Sequence, residues 1–183
     1  MTHPIQTTVG FQDTEPFRFE CATCGATHEG IPSFGWDFPA QYLAIPDSER
    51  ARRIVLSDEA CVIDDDWFFI RGCLEIPVRG YREPLNYGVW LSLSRDSFAR
   101  YQSSIDDVNR RSGASYFGWL CTVIPGYPDT QLLKTSVHVR PWPARPLVQL
   151  DATDHPLAIE QREGVNPWRV QQIVERIMHP RHR

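Results

Sequence analysis

Apolar positions along the chain switch between two periods, and the switches mark out its elements. From Trp67 to Val78 the run is rich in aromatic and β-branched residues and alternates, with Phe68, Ile70, Leu74, Ile76 and Val78 on one side and Trp67, Phe69, Arg71, Cys73 and Glu75 on the other. Ala60 to Ile63 precedes it across the acidic turn Asp64-Asp65-Asp66, which predicts a hairpin pairing Ile63 with Trp67 and Cys61 with Phe69. Tyr87 to Leu93, Tyr116 to Ile124, Leu132 to Val139 and Leu147 to Leu150 read as further strands between turns rich in proline and glycine. Helical spacing appears twice. After Ser94, the residues Phe98, Tyr101, Ile105 and Val108 fall on one face; after Asn166 and Pro167, the stripe is Val170, Ile173, Val174 and Ile177. A shorter helix is expected from Asp47 or Ser48 to about Val55, and another after Asp154-His155-Pro156. The pattern predicts an α+β fold: a mostly antiparallel sheet of five or six strands, two main helices over one of its faces, and an N-terminal zinc-knuckle-like loop.

With 183 residues the chain fits one domain, read as 13–178, with tails at 1–12 and 179–183. The stretch His28 to Pro46 is broken by glycine and proline, yet carries Phe34, Trp36, Phe38 and Tyr42, which predicts an ordered aromatic loop. Net charge is −4, from 19 basic and 23 acidic residues that are interspersed, and this argues against nucleic acid as partner because phosphate binding draws on clustered cations. Every apolar run is interrupted well before the ~20 residues of a membrane span. Five cysteines, an odd number, and no signal-like start predict reduced thiols and a cytoplasmic address.

Chemistry concentrates in Cys21-Ala22-Thr23-Cys24-Gly25-Ala26-Thr27-His28. Two thiolates three residues apart can grip one ion, glycine permits the turn behind them, and the thiolate and imidazole donors suit zinc. A thioredoxin-like pair would have to open a helix, which Gly25, Gly30 and Pro32 oppose. Two free thiols in a turn beside a surface histidine is the plainer alternative. Cys21, Cys24 and His28 are three donors of the four that structural zinc takes, so the fourth is left among Cys61, Cys73, Cys121, His138, His155 and water. Cys61 and Cys73 stand four residues apart along the predicted ladder, about 13 Å, too far to bridge or to share an ion.

Other candidates are weaker. Arg71 and Glu75 beside aromatics on one strand face could bind a polar or anionic ligand, and equally suit a solvated face. His138 lies on the polar side of its strand. His155, with Asp154 to orient it, is a possible base, but Glu160 would stand about 140° away around a helix, and capping explains the Asp-His-Pro turn. No phosphate loop, dinucleotide fingerprint, nucleophile elbow or His-Glu-x-x-His helix occurs.

Several segments together resemble a bacterial domain-of-unknown-function family, number twenty-one ninety-nine. They are the Cys21 to Pro32 motif, Ser57-Asp58 with Cys61 to Asp64, Phe68 to Pro77, Gly88 to Ser94, Tyr116 to Leu120 and Thr153 to Ala158. The resemblance spans Phe19 to Ile177, implies that Cys121 is a weak candidate for the fourth ligand, and implies no activity. Two functions fit these residues. The first is a zinc-knuckle-stabilised binding or interaction module for a protein, peptide or small molecule, with Trp36, Phe38, Tyr42, Trp67, Trp90 and Trp119 as candidate groove walls. The second is a zinc-dependent hydrolase whose water-completed site sits at the cysteine motif.

Overall fold

A computed structural model describes residues 16–179. Its spine is the antiparallel pair β6 (Trp67–Ile76) and β7 (Leu85–Leu93), in register from Phe68↔Leu93 to Ile76↔Leu85. These are the two longest strands among the described residues, and each is long enough to serve two partners along its outer edge. The outer edge of β6 pairs first with β5 (Ala60–Ile63), which pairs in turn with β4 (Ile54–Leu56). Past Arg71 that edge passes to β10 (Leu147–Leu150), through Leu147↔Cys73 and a hydrogen bond from the Cys73 N–H to the Pro146 carbonyl. The outer edge of β7 likewise serves β3 (Ser33–Gly35) and then β8 (Ser115–Leu120). Because β8 pairs with β9 (Lys134–His138) and β9 with β10, strands β6 to β10 close into a ring.

The α+β class is met, but the mostly antiparallel sheet with two main helices is not what forms. The structure is a mixed five-stranded barrel with added strands. β10 closes on β6 in parallel and β3 adds to β7 in parallel. Among the described residues there are four α-helices: α1 (Asp47–Arg53), α2 (Arg95–Gln102), α3 (Pro156–Glu163) and α4 (Pro167–Met178). Closure depends on missing side chains at two points. A Cβ on Gly72 would come within 2.6 Å of Val148 and 2.9 Å of Leu91, and one on Gly118 within 2.9 Å of the Ser92 carbonyl oxygen. Real side chains there would hold the strands apart.

Ile70, Leu74 and Ile76 of β6 are fully buried in a main core with Val89, Leu91, Leu120, Val137 and Val148, which Leu157 of α3 and Val170, Ile173 and Val174 of α4 also join. Phe69, on the other face of β6, belongs to a second cluster with Cys61, Ile63, Trp90 and Cys121. The hairpin register is as expected, with Ile63↔Trp67 and Cys61↔Phe69, and both Cys61 and Cys73 are free thiols.

The helix after Ser94 is shorter than its spacing predicts. Ser94 caps it through the Ser97 N–H, but it ends at Gln102, where the Ser103 and Ser104 hydroxyls take the carbonyls of Arg100 and Tyr101. The carbonyls of Ser104 and Ile105 go instead to Arg110, and Val108 is 65% exposed. The predicted tail 1–12 and residues 180–183 lie outside the described residues. No helix among the described residues is long and apolar enough to cross a membrane.

Candidate metal centre

A short hairpin, β1 (Arg18–Glu20) and β2 (Thr27–Glu29), carries the cysteine motif in its turn. Its register is Arg18↔Glu29, Phe19↔His28 and Glu20↔Thr27, which stacks the Phe19 and His28 rings with centroids 5.2 Å apart. The turn closes through the Cys21 N–H to the Ala26 carbonyl and the Gly25 N–H to the Cys21 carbonyl, both 2.9 Å. Gly25 has φ 70°, a conformation that glycine adopts without penalty. This turn sets Cys21, Cys24 and the first residues of β2 around one point.

His179 completes that point. The donor atoms of Cys21, Cys24, His28 and His179 all lie within 4.8 Å of one another, and His28 Nε2 is 3.8 Å from Cys24 Sγ. Tetrahedral zinc, with bonds of about 2.3 Å to sulfur and 2.0 Å to nitrogen, spaces its donors about 3.3–3.8 Å apart, so small rotamer changes would bring the set onto an ion. His179 Nε2 is buried and has no hydrogen-bond partner among the described residues, as is also true of His138 and His155; what sets His179 apart is that one of its ring nitrogens lies within the four-donor group.

Helix α4 delivers His179. Asn166 caps the helix through the Arg169 N–H, Pro167 opens it, and its buried stripe packs on the core, leaving His179 at the C-terminal end facing the hairpin. One turn back, a Glu175 carboxylate oxygen accepts from the Ala22 N–H at 2.8 Å and from Gln171 Nε2 at 3.0 Å. Those hydrogen bonds, Gln171 first and then Ala22, hold its carboxyl below the usual glutamate range. Burial works to raise the Cys21 thiol, but hydrogen bonds from the Cys24 and Thr23 backbone outweigh it, and the net shift is downward, toward thiolate.

The sequence reading missed His179, having assigned it to the tail. It lies 151 positions beyond His28 and belongs to no motif; the available signal was a histidine following the last apolar turn of an amphipathic helix. The residues proposed for the fourth position are all elsewhere. Cys61 and Cys121 are buried in the second core cluster, where burial pushes both thiols up, Cys61 to about 11. Cys73, on β6, pairs with Gly88 of β7. His138 stands on β9 opposite Ser115 and Leu147, with its Nε2 buried and unpartnered. His155 caps α3, its Nδ1 accepting from the Leu157 N–H at 3.2 Å.

Arg71 and Glu75 flank Cys73 on one face of β6, and His138 lies in the row formed by Cys73 and Leu147. Arg71 donates to the Trp36 and Asp58 carbonyls and lies over the Trp90 ring, while Glu75 pairs with Arg140 at 2.7 Å. Glu160 bonds Tyr127 and Arg169, so it does not serve His155. Of the six groove candidates, Trp36 packs against the second core cluster that holds Trp90. Trp90 is fully buried and its indole N–H donates to the Trp36 carbonyl, Phe38 stacks on Tyr42, and Trp119 meets Phe117 and Lys134.

Residues 20–165 match a family model described as "Uncharacterized protein conserved in bacteria (DUF2199)". Cys21, Cys24 and His28 fall inside the matched span and His179 beyond it. No curated protein and no solved structure matches the chain.

Proposed function

The chain belongs to the bacterial family DUF2199, and from that premise we propose that it is a binding module whose N-terminal hairpin is clasped to its C-terminal helix by zinc. One observation carries this reading: the fourth donor comes from the protein. Catalytic zinc sites keep a position for water or substrate, whereas structural sites are closed by four protein ligands. Cys21, Cys24, His28 and His179 make a Cys₂His₂ set, which favours a structural clasp over a hydrolase with a water-completed site. When bound, zinc would supply four long-lived bonds joining residues more than 150 positions apart. The chain's own contribution is to present them: the glycine turn aims the thiols, Phe19 holds the His28 ring, and Glu175 docks the turn on α4.

Metal analysis of protein purified without chelators should find about one zinc per chain. Cys24→Ser and His179→Ala should both lower that content, and His155→Ala should not. Less than about a tenth of an equivalent in the unaltered protein would sink the metal reading. Full, chelator-resistant zinc in His179→Ala would overturn the fourth-donor assignment and return the water-completed site to contention.

A further inference from the structure

The metal clasp leaves the module without an evident binding site, and a second region offers one. Between the segment following α2 and the loop joining β9 to β10 lies a cavity of about 490 Å³, lined in part by Cys73, Tyr101, Ile105, Arg110, Trp142 and Arg145. That volume is within the range of small-molecule sites, about 300–1,000 Å³.

The charges in its lining do not cancel where they are most buried. Arg110 is only 8% exposed, yet it makes no ion pair among the described residues. Its partners include four main-chain carbonyls, those of Ser104, Ile105, Arg140 and Ala144, which take four of its five N–H donors, and the neutral Tyr101 hydroxyl also interacts with the guanidinium. Carbonyl dipoles solvate a guanidinium but do not neutralise it, and a buried charge without an opposite charge is costly.

Arg145 adds donors. Its Nε and Nη2 fork onto Glu59, and this pair cancels internally, while Nη1 has no hydrogen-bond partner among the described residues. Asp106 is the remaining acid of the lining and is exposed, where water screens it from Arg110. Around these groups stand Tyr101, Ile105, Trp142 and Pro143, which present apolar surface.

We propose that this cavity is a binding site for a small organic anion, with a carboxylate or phosphate monoester held by Arg110 and Arg145 and a compact apolar body against Ile105 and Trp142. Charge-assisted hydrogen bonds from guanidinium are the strong form of such contacts, and the planar fork suits both anion types. This rests on the binding-module reading, not on the metal, so zinc content is measured on the same samples to keep the two apart.

The experiment is calorimetric titration of the zinc-containing protein with benzoate, phenyl phosphate, inorganic phosphate and, as a cationic analogue of benzoate, benzamidine. One saturable site with Kd below about 1 mM is expected for benzoate or phenyl phosphate, and none for benzamidine. Binding by benzoate assigns a carboxylate ligand; binding by phenyl phosphate and inorganic phosphate without benzoate assigns a phosphate monoester. Alkylation of Cys73, followed by mass mapping, should slow severalfold at saturation while Cys24 is unaffected. Arg110 ties together two loops and its removal risks the fold, so the variant is Ala144→Glu, which adds a carboxylate to the lining; it should weaken binding at least tenfold in a folded protein whose melting temperature is unchanged or raised by pairing with Arg110. No saturation by any anion up to about 20 mM, or benzamidine binding as tightly as benzoate, overturns the proposal whatever the zinc content. Unaltered affinity in a folded Ala144→Glu protein overturns it too.

Discussion

The barrel and the clasp solve the same problem, holding strands together, by different means. Along β6 and β7 nine residue pairs are in register and nearly every inward side chain is fully buried, so the ladder rests on apolar surface removed from water. The β1–β2 hairpin has three pairs, and each strand exposes its outer two residues. A lone two-stranded hairpin is marginal in water. Phe17, buried against Tyr81, anchors it at one end, and at the other the Ala22 N–H bonds Glu175 of α4 beside the four donors of the proposed clasp. A region too small to bury a core is held by a few directional bonds, and a region that can bury one needs no such bonds.

That contrast can be broken most severely from the barrel side. Leu74→Ala removes a fully buried side chain from β6 and should cost about 2–5 kcal/mol in urea denaturation, with the whole domain unfolding earlier. Chelation of the metal should do the opposite, raising hydrogen exchange over residues 18–29 while leaving the β6 and β7 amides protected. A chelated protein that loses barrel protection to the same extent as Leu74→Ala would show that the two regions form one cooperative unit.

A smaller effect is expected at the α3 cap. His155→Asn keeps a side chain that can accept from the Leu157 N–H and should change stability little, whereas His155→Leu should cost on the order of 1 kcal/mol in thermal melts. Equal losses in both variants would mean that the imidazole is held by more than its capping bond.

The smallest effect lies in the Asp64 turn at the far end of the β5–β6 hairpin. Hydrogen bonds from Arg53 hold the Asp64 carboxyl below the ordinary aspartate range. A carboxyl depressed in the folded state contributes stability at neutral pH, and that contribution is lost as pH falls through the folded value, below about 3.9. Asn tolerates the φ of 54° at this position, so Asp64→Asn changes charge without straining the turn. The variant should be slightly less stable than the unaltered protein at pH 7 and converge with it as pH falls through the folded value, so its acid-unfolding limb is slightly flatter; a steeper limb would contradict the assignment.

Legibility followed the range of the forces. The six barrel-region strands, the Ser94 and Asn166 caps and the Cys61↔Phe69 register were readable because alternation, capping and turn chemistry act over a few residues. The helix expected through Val108 failed because Arg110 and two serine hydroxyls compete for its carbonyls, a contest that spacing does not register. The donors Cys21, Cys24 and His28 were legible as a motif, and the fourth was not.

Taken alone, the order of residues determined which segments extend or coil, which faces are apolar and which turn presents thiols. Tertiary structure decided that the sheet closes, since closure depends on β6 and β7 each exchanging one edge partner for another and on Gly72 and Gly118 leaving room for opposing atoms. It also decided that His179, not any of the residues proposed beforehand, meets the cysteines. The orientation of α4 on the core sets that meeting, and it arises from packing between residues far apart in sequence, which no local pattern records.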